Sequence, residues 1–312
     1  MEKILVTGAN GFVGTALCRV LRARGIDFVP AVRSAAGPDQ IAVGDIDAQT
    51  QWKAALSACS AVIHLAARVH VMNDPSAEPL AAYRALNCDA TLNLARQAAE
   101  SGIKRFVYVS SIKVNGEKTN GKPFTPADIP APLDPYGKSK WEAEIGLKAL
   151  SRQTGLEVVV VRPPLVYGPG VGANFLSLMR LVRAGLPLPL GAVDNRRSMV
   201  AADNLADLLI CCTRHSSATG ETFLVSDGCD VSTPELVRKL AAAMAKPVRL
   251  LPIPEKFLTA GASLLGKAAM AERLLGSLQV DIARTKAVLG WRPVVGMDDA
   301  IDATVKHFLS EA

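Results

Sequence analysis

The first fourteen residues constrain this chain more than any other stretch. Lys3-Ile4-Leu5-Val6-Thr7 is a short apolar run of the kind that forms a strand buried on both faces. Gly8-Ala9-Asn10-Gly11-Phe12-Val13-Gly14 follows, and Leu17, Val20 and Leu21 then recur at helical spacing. Strand, glycine turn and amphipathic helix in that order predict a turn that cradles a dinucleotide pyrophosphate. Gly8 permits the tight turn, Gly11 lets backbone approach the phosphates, and Gly14 lets the helix lie close on the strand. The helix N-terminus then faces the anion. Asn10, Phe12 and Val13 complete the candidate contacts of this turn.

Further apolar runs over 28–32, 41–43, 61–65, 105–109 and 158–161 read as strands, and helical patterns over 49–58 and 79–101 separate them. This alternation predicts an α/β fold, a doubly wound parallel sheet. After Tyr167-Gly168-Pro169-Gly170 the rhythm changes. Helices over 175–184 and 203–211 and a strand over 222–225 are expected, then a mostly helical remainder broken by Pro234, Pro247, Pro252 and Pro254. The division this suggests is interleaved. Residues 1–166 plus 199–226 form a dinucleotide-binding domain, and 167–198 plus 227–312 form a smaller lobe.

Composition narrows the function. The net charge of +6 is spread over short pairs such as Arg196-Arg197 rather than a basic stripe, which argues against nucleic acid as a partner. Six cysteines without CxxC spacing read as buried thiols in a reducing compartment, with no metal site. No apolar run reaches the ~20 residues that span a bilayer. The chain runs directly into a strand without a leader, so a cytoplasmic location is expected. His64, inside an apolar strand, reads as a packed core histidine. Asn87 is a mediocre helix former within a helical stretch, facing either a buried partner or solvent.

The chemistry points to Tyr136-Gly137-Lys138-Ser139-Lys140. Tyr136 and Lys140 share a helix face, and an ammonium beside a phenol is expected to lower its pKa from about 10. Such a phenol exchanges a proton with an alcohol near neutral pH. Ser110 and Ser111 stand at the C-terminal end of the strand 105–109, where ligands of parallel α/β sheets bind. The second strand ends Val32-Arg33-Ser34, without the acidic residue that commonly meets the ribose of NAD. Arg33 therefore favours the 2′-phosphate of NADP(H) over NAD(H), unless it lies over the adenine or in solvent.

Together with Gly44-Asp45-Ile46, His64-Leu65-Ala66-Ala67, Val109-Ser110-Ser111 and Arg162-Pro163-Pro164-Leu165-Val166-Tyr167-Gly168-Pro169-Gly170, these motifs occur in order along the whole chain. The sequence resembles the extended short-chain dehydrogenase/reductases, the NAD(P)-dependent epimerase/dehydratase group. That resemblance implies a nucleotide-sugar oxidoreductase with Ser111, Tyr136 and Lys140 as catalytic residues. It implies adenine contacts at Asp45 and Ile46, and further cofactor contacts at Leu65, Ala66, Ala67, Arg68 and Pro163. Asn174, Arg197, Arg273 and Asp281 resemble residues that hold the substrate's diphosphate and ribose. Asn115 replaces the family's usual tyrosine and is expected to alter the substrate wall. Ile112 and Lys113 stand where a dehydratase carries Asp-Glu, which argues against dehydration. The expected reaction is reduction of a UDP-4-keto-6-deoxy sugar to UDP-N-acetylquinovosamine, in surface-polysaccharide synthesis. A UDP-glucose or UDP-N-acetylglucosamine 4-epimerase with bound NAD is the alternative, and a non-catalytic NADP sensor a lesser one. A homodimer through helices 83–101 and 136–151 is also implied.

Overall fold

A computed structural model of the chain describes residues 3–69, 78–264 and 274–311. Strand β1 (Lys3–Thr7) buries Ile4, Leu5 and Val6 on both faces, as a central parallel strand must. Helix α1 (Phe12–Ala23) follows the glycine turn, and β2 (Phe28–Val32) and β3 (Ile41–Ala42) extend the sheet on one side. On the other side lie β4 (Cys59–His64), β5 (Arg105–Val109), β6 (Glu157–Arg162) and, at the far edge, β9 (Thr222–Leu224). The order among the described residues is β3-β2-β1-β4-β5-β6-β9, parallel throughout. The doubly wound sheet expected from the apolar runs is therefore present.

One face of this sheet packs against α1 and α7 (Ala202–Arg214), through Leu17, Leu21, Leu205 and Leu209. The other packs against α4 (Ala90–Glu100) and α5 (Pro135–Thr154), through Leu94, Ala98, Ala143 and Leu147. A second small sheet runs β10 (Asp230–Val231), β8 (Arg197–Ala201), β7 (Leu165–Tyr167). Beside it, α6 (Ala173–Arg183), α8 (Thr233–Ala243) and the helix Met297–Ser310 enclose a separate apolar cluster.

Two helices differ from expectation. The helix over 49–58 contracts to α2 (Lys53–Leu56). Asp47 Oδ1 accepts from Gln49 N at 2.8 Å and from Thr50 Oγ1 at 3.1 Å, and Thr50 Oγ1 accepts from Asp47 N at 2.9 Å. These local bonds hold a turn where a helix would otherwise begin. The helix over 79–101 is interrupted: α3 (Pro79–Arg84) runs into a π turn over Ala85–Asp89 before α4. Asn87 lies in that turn and is fully buried.

Candidate active site

The glycine turn is shaped for close backbone approach. Gly8 has φ 65°, and a Cβ there would stand 2.9 Å from Ala66 N. A Cβ on Gly14 would overlap the Gly8 carbonyl and Ala9. No side chain caps α1, whose N-cap is Gly11, and its first turn carries no acidic residue. An uncapped helix N-terminus next to side-chain-free backbone fits a diphosphate. Asn10 and Gly11 are exposed, while Phe12 and Val13 are half-buried.

The loop after β4 is tied to this turn. Thr7 Oγ1 accepts from Leu65 N and Ala66 N, each at 3.2 Å, and donates to His64 Nδ1 at 2.7 Å. His64 is buried, bonded through Nε2 to Thr91 Oγ1 at 2.9 Å, and burial pulls its pKa down to about 3. It is the packed core histidine the sequence suggests. Thr91 in turn donates to Asn87 O. The Asn87 side chain accepts from Arg68 N at 2.8 Å and donates to Arg68 O and Ser139 Oγ, each at 3.0 Å. Ser139 donates to Tyr136 O. The π turn thus aims one amide at both the Ala67-Arg68 loop and the helix that carries Tyr136.

That helix begins at Asp134, whose Oδ1 accepts from Gly137 N at 2.7 Å, with Pro135 in its first turn. Asp134 also pairs with Lys113. Ile112 joins a small apolar cluster, so neither position after Ser111 offers a carboxylate. The Ser111 hydroxyl accepts from Lys113 N at 3.2 Å and acts on the Tyr136 phenol against the effect of burial. Lys140 is buried, its Nζ donating to Val109 O at 2.9 Å and lying 6.0 Å from the Tyr136 ring centre. Ser111, Tyr136 and Lys140 are therefore gathered at the C-terminal end of β5, near the Pro163 carbonyl that accepts from Ile112 N.

The electrostatics correct one expectation. Burial pushes the Tyr136 phenol up to about 12, with Ser111 opposing, and the same burial pulls Lys140 down to about 7. Lys140 is not among the groups that shift the phenol: its Nζ donates to the Val109 carbonyl, and its own charge is costly in this setting.

The remaining candidates separate. Arg33 and Asp45 are exposed and pair with each other, Nε to Oδ1 at 2.7 Å, with Ile46 half-buried beside them. Asn174 is exposed in the first turn of α6, next to Ala173, whose φ of 50° is strained for a residue with a side chain. Arg197 Nη1 donates to Gly276 O at 2.8 Å. Asp281 Oδ1 accepts from Ala283 N at 2.7 Å at the entry to helix Ala283–Leu289. Arg273 lies outside the described residues. Asn115 is buried: Arg162 Nη1 donates to its Oδ1 at 2.9 Å, and its Nδ2 donates to Thr125 O. Glu144, which meets Arg162 beneath the site, is not among the candidates the sequence offers, and Arg162 appears there only within a motif; the signal for Glu144 was the continuation of the 136, 140 spacing to 144.

A glycine turn at β1, a hydroxyl at the end of β5 and a Tyr-x-x-x-Lys helix define a short-chain dehydrogenase/reductase. A profile of the NAD dependent epimerase/dehydratase family matches residues 4–226, and the chain belongs to that family. It is 49% identical over 315 residues to a UDP-glucose 4-epimerase of Vibrio cholerae, covering 99% of this chain and 96% of that one. Its fold is shared with a UDP-glucuronic acid 4-epimerase from Bacillus cereus solved with NAD (TM-score 0.80, 20% identity, 99% of both chains). It is shared likewise with a UDP-glucose 4-epimerase from Thermotoga maritima solved with UDP-glucose (TM-score 0.77, 22% identity, 99% of both chains).

Proposed function

We propose that this protein is a UDP-sugar 4-epimerase that works with bound NAD. The observation that carries the reading is the 49% identity, along nearly the full length of both chains, to the Vibrio cholerae UDP-glucose 4-epimerase, in a chain that keeps Ser111, Tyr136 and Lys140 together. This weighs toward the alternative reading of the sequence and away from the 4-ketoreductase. The NADP preference inferred from Arg33 is set aside on the same ground, since the exposed pair of Arg33 with Asp45 is too weak to argue for or against a 2′-phosphate.

In this reading the turn of Gly8, Gly11 and Gly14 holds the pyrophosphate and the Leu65–Arg68 loop lies along the cofactor. Bound there, the nicotinamide supplies reversible hydride exchange with the sugar. Tyr136 Oη takes the proton from the sugar's O4 and returns it, and Ser111 Oγ orients that oxygen. Lys140 holds the cofactor ribose. The lobe of residues 167–198 and 227–312 receives the UDP moiety, with Asn174 and Arg197 toward the diphosphate. The subunits pair through the α4–α5 face.

Incubation with UDP-glucose and with UDP-N-acetylglucosamine, with no cofactor added, tests the assignment. The expected result is formation of the C4 epimer and copurification of NAD. Net consumption of NADPH by a UDP-4-keto sugar, without interconversion of UDP-hexoses, overturns it in favour of the reductase.

A further inference from the structure

Beneath Tyr136 and Lys140 lies a closed polar cluster that the reaction above does not use. Glu144 is fully buried one helical turn beyond Lys140, so the three side chains form one stripe along α5. Arg162, at the end of β6 and also buried, grips the carboxylate with two donors: Nε reaches Oε1 at 2.9 Å and Nη2 reaches Oε2 at 2.6 Å. Ser110 Oγ donates to Oε1 at 2.6 Å. The remaining arm of Arg162 is the one that holds Asn115. As a packing device such an ion pair can often be replaced by well-packed apolar side chains without loss of stability. An apolar replacement cannot place a negative charge beside a buried ammonium.

We propose that Glu144 is a positioning residue for Lys140: its carboxylate, oriented by Arg162 and Ser110, keeps the Lys140 ammonium charged inside the protein and so able to hold a cofactor. This rests on the reading that the site binds a nicotinamide dinucleotide. The groups set around Lys140 leave Glu144 as the one anion among the described residues, and from β6 the Arg162 guanidinium is paired to that carboxylate. From β5 come the Tyr108 ring, 4.7 Å from Nζ, and the Val109 carbonyl. From β4 comes His64, held neutral by burial, and from α5 itself come Tyr136 and Glu144. Burial raises the pKa of both phenols, so neither adds a negative charge at Lys140 in the protein without cofactor. Burial draws Lys140 down to about 7, and Glu144 works against that pull.

The test is the pH dependence of NADH binding to the full chain, followed by the fluorescence of the bound nucleotide. In Glu144→Gln the alkaline limb, where affinity falls, is expected to move down by about one pH unit, because the ammonium loses its counter-charge. Glu144→Asp keeps that charge and is expected to restore the limb. Glu144→Gln leaves Arg162 buried without its carboxylate, so the double variant Glu144→Gln/Arg162→Gln is measured beside it; because it removes charge of both signs, it is expected to shift the limb in the same direction but by less. An unmoved limb in a folded variant overturns the proposal. Loss of the fold in both variants overturns it too, by assigning the cluster to folding. A shifted limb in a protein that turns over no UDP-sugar sinks the epimerase reading and leaves the role of Glu144 standing.

Discussion

A phenol with a pKa near 12 is poorly matched to proton transfer at neutral pH, while a lysine near 7 holds its charge only in part there, and both owe it to burial. The residue that relieves the mismatch within the chain is Ser111, which pulls the phenol's pKa down against burial and so favours the phenolate. Tyr136→Phe should lower kcat by about 10²–10⁴-fold while leaving NADH affinity nearly unchanged, measured by a coupled epimerisation assay and a binding titration. Ser111→Ala should cost less, since the phenol itself remains. A third residue sets a limit on acid stability. His64 is neutral in the fold with a pKa of about 3 against an ordinary 6.5, so between those values the unfolded chain binds the extra proton. Stability should therefore be full above about pH 6.5 and fall as pH drops toward 3. In His64→Gln the fall in melting temperature over that window should flatten.

Among the elements, the π turn of Ala85–Asp89 has the largest consequence for the site. A turn of this type inserts one extra residue into a helix and is frequent at functional positions. Here it brings Asn87 inward to three bonds with Arg68 and Ser139. Asn87→Leu should cost about 2–4 kcal/mol in urea denaturation, by stranding the buried groups it serves. The turn was not legible in the sequence. Leu86, Leu92, Leu94 and Ala98 keep nearly helical spacing across it, and only contacts with residues 68 and 139 decide that the ladder slips. The short α2 was hidden for a different reason, a local one: Asp47 and Thr50 compete for the backbone that a helix would use. The strands were legible because burial on both faces writes them as unbroken apolar runs. Glu144 and Arg162 stand eighteen positions apart, and a spacing argument that stopped at Lys140 had no reason to join them.

At the scale of the molecule, α4 and α5 present a candidate pairing face. Ile145 is half exposed on α5, and beside it Leu92 closes over Gly146, where a Cβ would stand 2.7 Å from its methyl carbons. If the subunits meet there, Ile145→Glu should convert a dimer to a monomer in light scattering without lowering the melting temperature of the monomeric fold. The order of elements along the chain has another effect. The polypeptide leaves the main sheet after β6 to build the small sheet and α6, then returns with α7 and β9 to finish what it left open. Val200, Leu205, Leu209 and Phe223 share one cluster with Ile4, Val6 and Leu17. A fragment ending at residue 166 would expose that whole apolar surface to water and aggregate. Any shuffling of residues 167–198 between relatives must therefore cut the gene in more than one place.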